Sequence, residues 1–212
     1  MAEDTVSYSA YAVIDLLDAF ASNEPVPGGG SAAALAGSLG VSLLLMAAGL
    51  PKTRTMAPEE AADLAEASSR LRPLRASLIE LMDRDSEAYR GVMTALKLPK
   101  ETDAEKAVRR EALQAGMREA TDAPLEAMRA CQQALAGAVI VARNVYTLAA
   151  SDVGMGVELV AAALAGCAMS IDGNLPGIAD AAYVERARTE RQQLETDGLA
   201  DAGRARALLS GQ

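Results

Sequence analysis

PVPGGGSAAALAGSLGVSLLLMAAGL, residues 25–50, is the stretch whose reading decides the fold. It holds no charged residue, and its part from 32 to 50 matches the ~20 residues that a bilayer crossing needs. Composition argues the other way. The segment is mostly Ala, Gly and Ser, its leucines are few, and its flanks carry little positive charge. Small residues at Ala33, Gly37 and Val41, and at Ala36 and Gly40, let a neighbouring backbone come close. The segment therefore reads as a central helix of a soluble bundle, broken from what precedes it by Pro25-Val26-Pro27-Gly28-Gly29-Gly30 and capped by Ser31. A membrane-inserted helix at 32–50 is the alternative.

Helices extend outward from it in both directions. Residues 5–22 place Val6, Tyr11, Ile14, Leu17 and Phe20 on a helical stripe. Pro58-Glu59-Glu60 is a good first turn, with proline at its start and acids facing the dipole, for a helix to Leu96 kinked near Pro73. Thr102-Asp103-Ala104-Glu105 is a capping box for a helix ending near Thr121, and Pro124 opens another through Ala149. Ser151 or Asp152 caps the next, and a last helix runs from Asp180 to about Leu209, softened at Gly198 and frayed. No β-alternation, repeat or linker interrupts. The expectation is an all-α, single-domain bundle of about six to seven helices over residues 1–212.

Composition narrows the chemistry. The 212 residues include no histidine, which excludes Ser-His-Asp and Cys-His nucleophile systems, histidine zinc sites and histidine-ligated haem. Proton transfer must then fall to carboxylates or amines with displaced pKa values. A net charge of −9 and 3% aromatic residues supply neither a basic field nor a stacking platform for nucleic acid. Cys131 and Cys167 read as buried small residues in a reducing compartment, not as a disulfide. The methionines, including Met46, Met82, Met128 and Met169, read as gap-filling core. No signal peptide and no metal cluster is visible, so a cytoplasmic protein without cofactor or metal is expected.

Four places could carry chemistry. Gly28, Gly29 and Gly30 before Ser31 leave backbone N–H groups free at a helix N-terminus, suited to an anion or a polar heterocycle edge, although a plain interhelical break would look the same. Asp85 lies on the stripe Leu74, Leu78, Leu81, Asp85, Ala88, Val92, Leu96. A carboxylate in line with leucines faces a core or a cleft, where burial raises its pKa toward acid/base use. Asp152 beside Ser151 reads first as a helix cap. Lys52 and Arg54 follow a long uncharged run and suit either an anionic ligand or helix-end carbonyls. Arg109 and Arg110 read as helix-face ion pairs.

In order, Pro25-Val26-Pro27-Gly28-Gly29-Gly30-Ser31-Ala32-Ala33-Ala34-Leu35-Ala36-Gly37, Asp85-Ser86-Glu87-Ala88-Tyr89, Leu96-Lys97-Leu98-Pro99-Lys100-Glu101-Thr102 with Glu105, Ala123-Pro124-Leu125, Ser151-Asp152-Val153-Gly154 and Asn174-Leu175 resemble the cyclodeaminase/cyclohydrolase family. That family comprises the C-terminal domain of formiminotransferase-cyclodeaminase and its stand-alone bacterial relatives. The likeness covers roughly residues 8 to 190. It implies an all-helical homodimer that binds reduced folate near the glycine-rich turn. It also implies release of ammonia from 5-formimino-tetrahydrofolate, or hydrolysis of 5,10-methenyl- to 10-formyl-tetrahydrofolate. Cyclohydrolase is put ahead because no formiminotransferase domain is attached.

On this resemblance Asp85 and Asp152 are the acid/base candidates. Pro27, Gly28, Gly29, Gly30, Ser31, Ser151 and Asn174 would dock the ligand, and Lys52 and Arg54 would meet its glutamate tail. The partner expected is therefore a small-molecule folate, with no nucleic acid and no membrane. Three segments depart from the family pattern: Gly49-Leu50-Pro51-Lys52-Thr53-Arg54, the Val145-Tyr146 pair and Ser170-Ile171-Asp172-Gly173. The alternative they leave is a non-catalytic folate-binding or scaffold protein that kept the fold.

Overall fold

A computed structural model describes residues 7–50 and 56–211. Six α-helices follow in order: α1 (Val13–Ala21), α2 (Gly29–Gly49), α3 (Pro58–Leu96), α4 (Asp103–Asn144), α5 (Ala150–Asn174) and α6 (Ala181–Ser210). Short 3₁₀ turns stand at Tyr8–Ala10, Thr147–Ala149 and Leu175–Gly177. No strand occurs among the described residues, and the all-α expectation holds.

The uncharged helix α2 is central, packed on α5 and α3 and more lightly on α4. Its glycines explain the fit. A Cβ on Gly40 would stand 2.7 Å from the Gly156 carbonyl oxygen, and one on Gly166 would stand 2.9 Å from Ala33 Cβ. Backbone meets backbone at the first of these points, which only glycine allows. Because 33 pairs with 166 and 40 with 156, α2 and α5 run antiparallel. Both α2 and the segment 147–177 are long and apolar enough to cross a bilayer, but about half of each lies inside the bundle.

The core is aliphatic, with Leu44, Leu71, Leu78, Met82, Met128, Leu135, Leu164 and Ile171 almost fully buried. Met46 and Met169, expected in the core, are 43% and 73% exposed because they lie on the outer faces of α2 and α5. Cys131 and Cys167 are free and buried, and hydrogen bonding to Cys167 together with burial pushes the Cys131 thiol up.

Several expected boundaries move. The first helix starts only at Val13, because Tyr11 and Ala12 are extended. It buries Leu16 and turns Ile14 and Leu17 outward, opposite to the expected stripe. Of that stripe, Val6 lies outside the described residues. Helix α2 begins at Gly29 with Gly28 as N-cap, so Ser31 is inside the first turn and caps nothing. Helix α3 does run through Pro73 to Leu96. So does α4 through Pro124, where a new start was expected.

Proline lacks the N–H that would bond the carbonyl four residues earlier, here that of Ala120. The Ala120 oxygen instead accepts from Asn174 Nδ2 at 2.6 Å. A side chain from α5 thus repairs the gap, and the helix continues. Neither Ser151 nor Asp152 caps α5; Ala149 holds the N-cap position, with Asp152 in the first turn. Asp180 does cap α6, accepting from the Tyr183 N–H at 3.1 Å. That helix is not softened at Gly198, which is buried where a Cβ would meet Leu164 Cδ2 at 2.6 Å. Arg109 donates to the Leu96 carbonyl at 3.2–3.3 Å, closing the end of α3 where a helix-face ion pair was expected.

Candidate active site

The start of α2, the middle of α3 and the end of α5 converge on a cleft of about 340 Å³. Pro25, Val26, Gly28, Gly29 and Gly30 form one wall, Asp85 and Tyr89 a second, and Ser170, Gly173 and Asn174 a third, with Ala120 between. This volume sits at the low end for small-molecule sites, which are about 300–1,000 Å³. Asp85 is the charged side chain among these lining residues.

Its placement follows from glycine. Gly30 passes so close that a Cβ there would lie 2.2 Å from Asp85 Oδ1 and 2.6 Å from Cγ. The carboxylate therefore occupies the space a side chain would fill at the N-terminus of α2. It accepts from the backbone N–H of Ser31 and from Ser31 Oγ at 2.9 Å. An acid from α3 thus does for α2 what a local cap does for other helices, satisfying a first-turn donor at the positive end of the dipole. That is why α2 needs no side-chain cap of its own.

Ser31 is fully buried. Its Oγ lies 3.0 Å from the Met82 carbonyl and 2.9 Å from Ser86 Oγ, besides its bond to Asp85. A hydroxyl has one hydrogen to donate. An ionised Asp85 claims it, Ser86 can donate in turn to Ser31 Oγ, and a protonated Asp85 releases Ser31 toward Met82. The carboxyl itself is raised from its ordinary value by burial, with the two Ser31 hydrogen bonds pulling it back. A half-desolvated carboxylate on a cleft, held in one orientation and shifted toward neutrality, is suited to taking and returning a proton.

The expected site residues divide. Gly28, Gly29, Gly30, Asp85 and Asn174 line one cleft. Asn174 spends its amide N–H on Ala120. Pro27 and Ser31 are buried behind the wall, so Ser31 acts through Asp85 and not on a ligand directly. Ser151 and Asp152 stand in the first turn of α5 while Asn174 ends it, about 33 Å along the helix at 1.5 Å per residue. Within one chain Asp152 therefore does not share the pocket with Asp85. Lys52 and Arg54 lie outside the described residues.

Tyr89, Ser170 and Gly173 line the cleft and were not singled out. Tyr89 follows Asp85 by four residues and Ser170 precedes Asn174 by four, the spacing that puts helix residues on one face. That signal was available for both.

The family described as Formiminotransferase-cyclodeaminase matches residues 12–193. A methenyltetrahydrofolate cyclohydrolase of Methylorubrum extorquens is 37% identical, with 88% of each chain covered. The chicken formimidoyltransferase-cyclodeaminase is 29% identical over 86% of this chain, which spans 33% of that longer protein. The crystal structure of a formiminotetrahydrofolate cyclodeaminase from Thermotoga maritima has the same fold at a TM-score of 0.85, with 21% identity and coverage of 95% and 97%.

Proposed function

The chain belongs to the formiminotransferase-cyclodeaminase family, and from that premise we propose that it hydrolyses 5,10-methenyl-tetrahydrofolate to 10-formyl-tetrahydrofolate, with Asp85 as general acid/base. The observation that carries this is the carboxyl of Asp85, oriented by Ser31 on a cleft and raised by burial. Support for hydrolysis over deamination comes from the cyclohydrolase that matches along most of its own length.

The chemistry fits that one group. The methenyl carbon is cationic, and a carboxylate in a part-desolvated cleft stabilises it more than water does. Water adds to that carbon and gives one proton to Asp85. The adduct loses its hydroxyl proton to solvent, the C–N5 bond breaks, and N5 takes the proton back from Asp85. One water is consumed and one proton released, and Asp85 returns to its starting state. Neither a histidine nor a metal is needed to balance these steps. The cleft holds the reacting rings, and at its volume the glutamate tail extends outside it.

The test is the loss of the methenyl absorbance with purified protein. Turnover well above the buffer rate is expected, and a rate equal to buffer would sink the enzymatic reading and favour a scaffold. The same proposal includes a homodimer, supported by Leu39, Met46, Met155 and Met169 exposed on the outer faces of α2 and α5. Light scattering should give twice 21.9 kDa; a monomer mass would remove that part.

A further inference from the structure

We infer that Tyr8 and Arg90 form a strut that sets where the 25–28 wall of the cleft stands over Asp85, which makes both positioning residues of the site. Tyr8 belongs to the 3₁₀ turn ahead of α1 and is only 6% exposed. Its hydroxyl donates to the Val26 carbonyl at 3.0 Å and accepts from Arg90 Nη2 at 3.0 Å. The Arg90 guanidinium carbon also stands 5.5 Å from the centre of the tyrosine ring. A phenol serves here because it joins an apolar body, buried against the bundle, to a tip that donates and accepts at once.

The geometry ties the wall to the helix that carries the acid. Val26 lines the cleft, and so does Tyr89, the residue before Arg90. The same N-terminal turn is fixed to α3 a second time. Ser9 donates to Asp83 from its N–H at 3.2 Å and its hydroxyl at 2.6 Å, and Ser7 Oγ adds a bond at 2.9 Å. Asp83 and Arg90 are seven residues apart, two helical turns, and they bracket Asp85 on the sequence. The wall is thus hung from anchors on either side of the carboxylate it faces. Movement of the wall relative to Asp85 requires breaking the Tyr8 hydroxyl bonds.

The consequence for function rests on the reading of this cleft as the folate site, but the strut itself can be tested without ligand. Tyr8→Phe keeps the ring and removes both hydroxyl bonds. In the ligand-free protein, hydrogen exchange at the amides of residues 26–31 should quicken about tenfold, the ratio that one lost hydrogen bond of roughly 1.4 kcal/mol gives, while core amides of α4 stay unchanged. For the methenyl substrate, KM should rise by a similar factor, with kcat unmoved and with no change in the pH at which activity falls as Asp85 takes up a proton. Arg90→Met, which keeps the Tyr8 bond to the Val26 carbonyl, should shift both readouts in the same direction as Tyr8→Phe but by less, and Arg90→Lys, which can still donate to the phenol, should recover most of that loss. Unchanged exchange at 26–31 in Tyr8→Phe overturns the strut, and so does a rise spread evenly through the bundle. An Arg90→Lys protein no better than Arg90→Met overturns the part assigned to Arg90. Failure of the wild type to turn over the methenyl compound counts against the folate reading alone, and exchange still decides the strut.

Discussion

Replacing Gly30 by alanine should reduce turnover by about a hundredfold while leaving the melting temperature within a few degrees of wild type. The new Cβ would claim the space of Asp85 Oδ1, 2.2 Å away, and of its Cγ at 2.6 Å. Both atoms belong to a side chain that can rotate, so the fold need not break. What is lost is the position. A carboxylate turned out of the α2 N-terminus gives up the Ser31 N–H and hydroxyl, and it no longer faces the walls that hold the substrate. The stability terms oppose each other. Losing those bonds costs about 1–2 kcal/mol, and alanine in place of helical glycine returns roughly 1 kcal/mol.

The measurement is a kinetic trace beside a thermal melt. Near-wild-type turnover would show that the chemistry does not depend on where Asp85 now sits. A collapse of the melt together with the activity would show that Gly30 is structural only. In a double-mutant cycle with Asp85→Asn the two losses should not add, since each removes the same acid from the same place.

What could be read from the sequence divides along the range of the interactions. The start of α3 at Pro58, the Thr102–Glu105 box that opens α4 and the Asp180 cap of α6 are local devices, complete within four residues. The cleft position of Asp85 was legible in the same way, from steps of three and four among leucines. Pro124 was not, because the donor that repairs its missing hydrogen bond is Asn174, fifty residues on and in another helix. Nor was Ser31, whose hydroxyl is drawn from capping α2 to a cluster on α3 by Met82, Asp85 and Ser86. Nor was the attachment of the N-terminal turn, since Ser7 and Ser9 bind Asp83 some seventy residues away. Asp152 was joined to Asp85 by resemblance alone, and helix length separates them. Pro124 and Ser31 share a cause: in each a polar group finds its partner far along the sequence, and both partnerships border the cleft.

Asp85→Asn carries the largest expected loss, about 10²–10⁴-fold in turnover, the range for removing a positioned acid/base. It should at the same time stabilise the protein at neutral pH. Burial raises the folded-state pKa of Asp85 above its unfolded value, even with the Ser31 hydrogen bonds opposing. The fold therefore favours the protonated form. That preference contributes stability below the unfolded pKa and is lost as pH rises through the folded one. As pH rises through the folded-state pKa the wild type comes to carry a charged carboxylate in a part-desolvated place, and the variant never does. Asparagine has the same shape, and its Oδ1 can still accept from the Ser31 N–H and hydroxyl. The melting temperature of the variant should exceed that of wild type at pH 8, and the gap should close as pH falls toward the ordinary carboxylate range. In wild type, kcat/KM should fall on the acid side with a limb above that range, because water addition requires the ionised base, and the variant should lack the limb. Turnover within tenfold of wild type would remove Asp85 from the mechanism. A melting difference that does not change with pH would remove the raised carboxyl as its cause. A loss of activity joined to a pH-dependent gain in stability is the signature of a carboxylate kept where the reaction needs it and the fold does not.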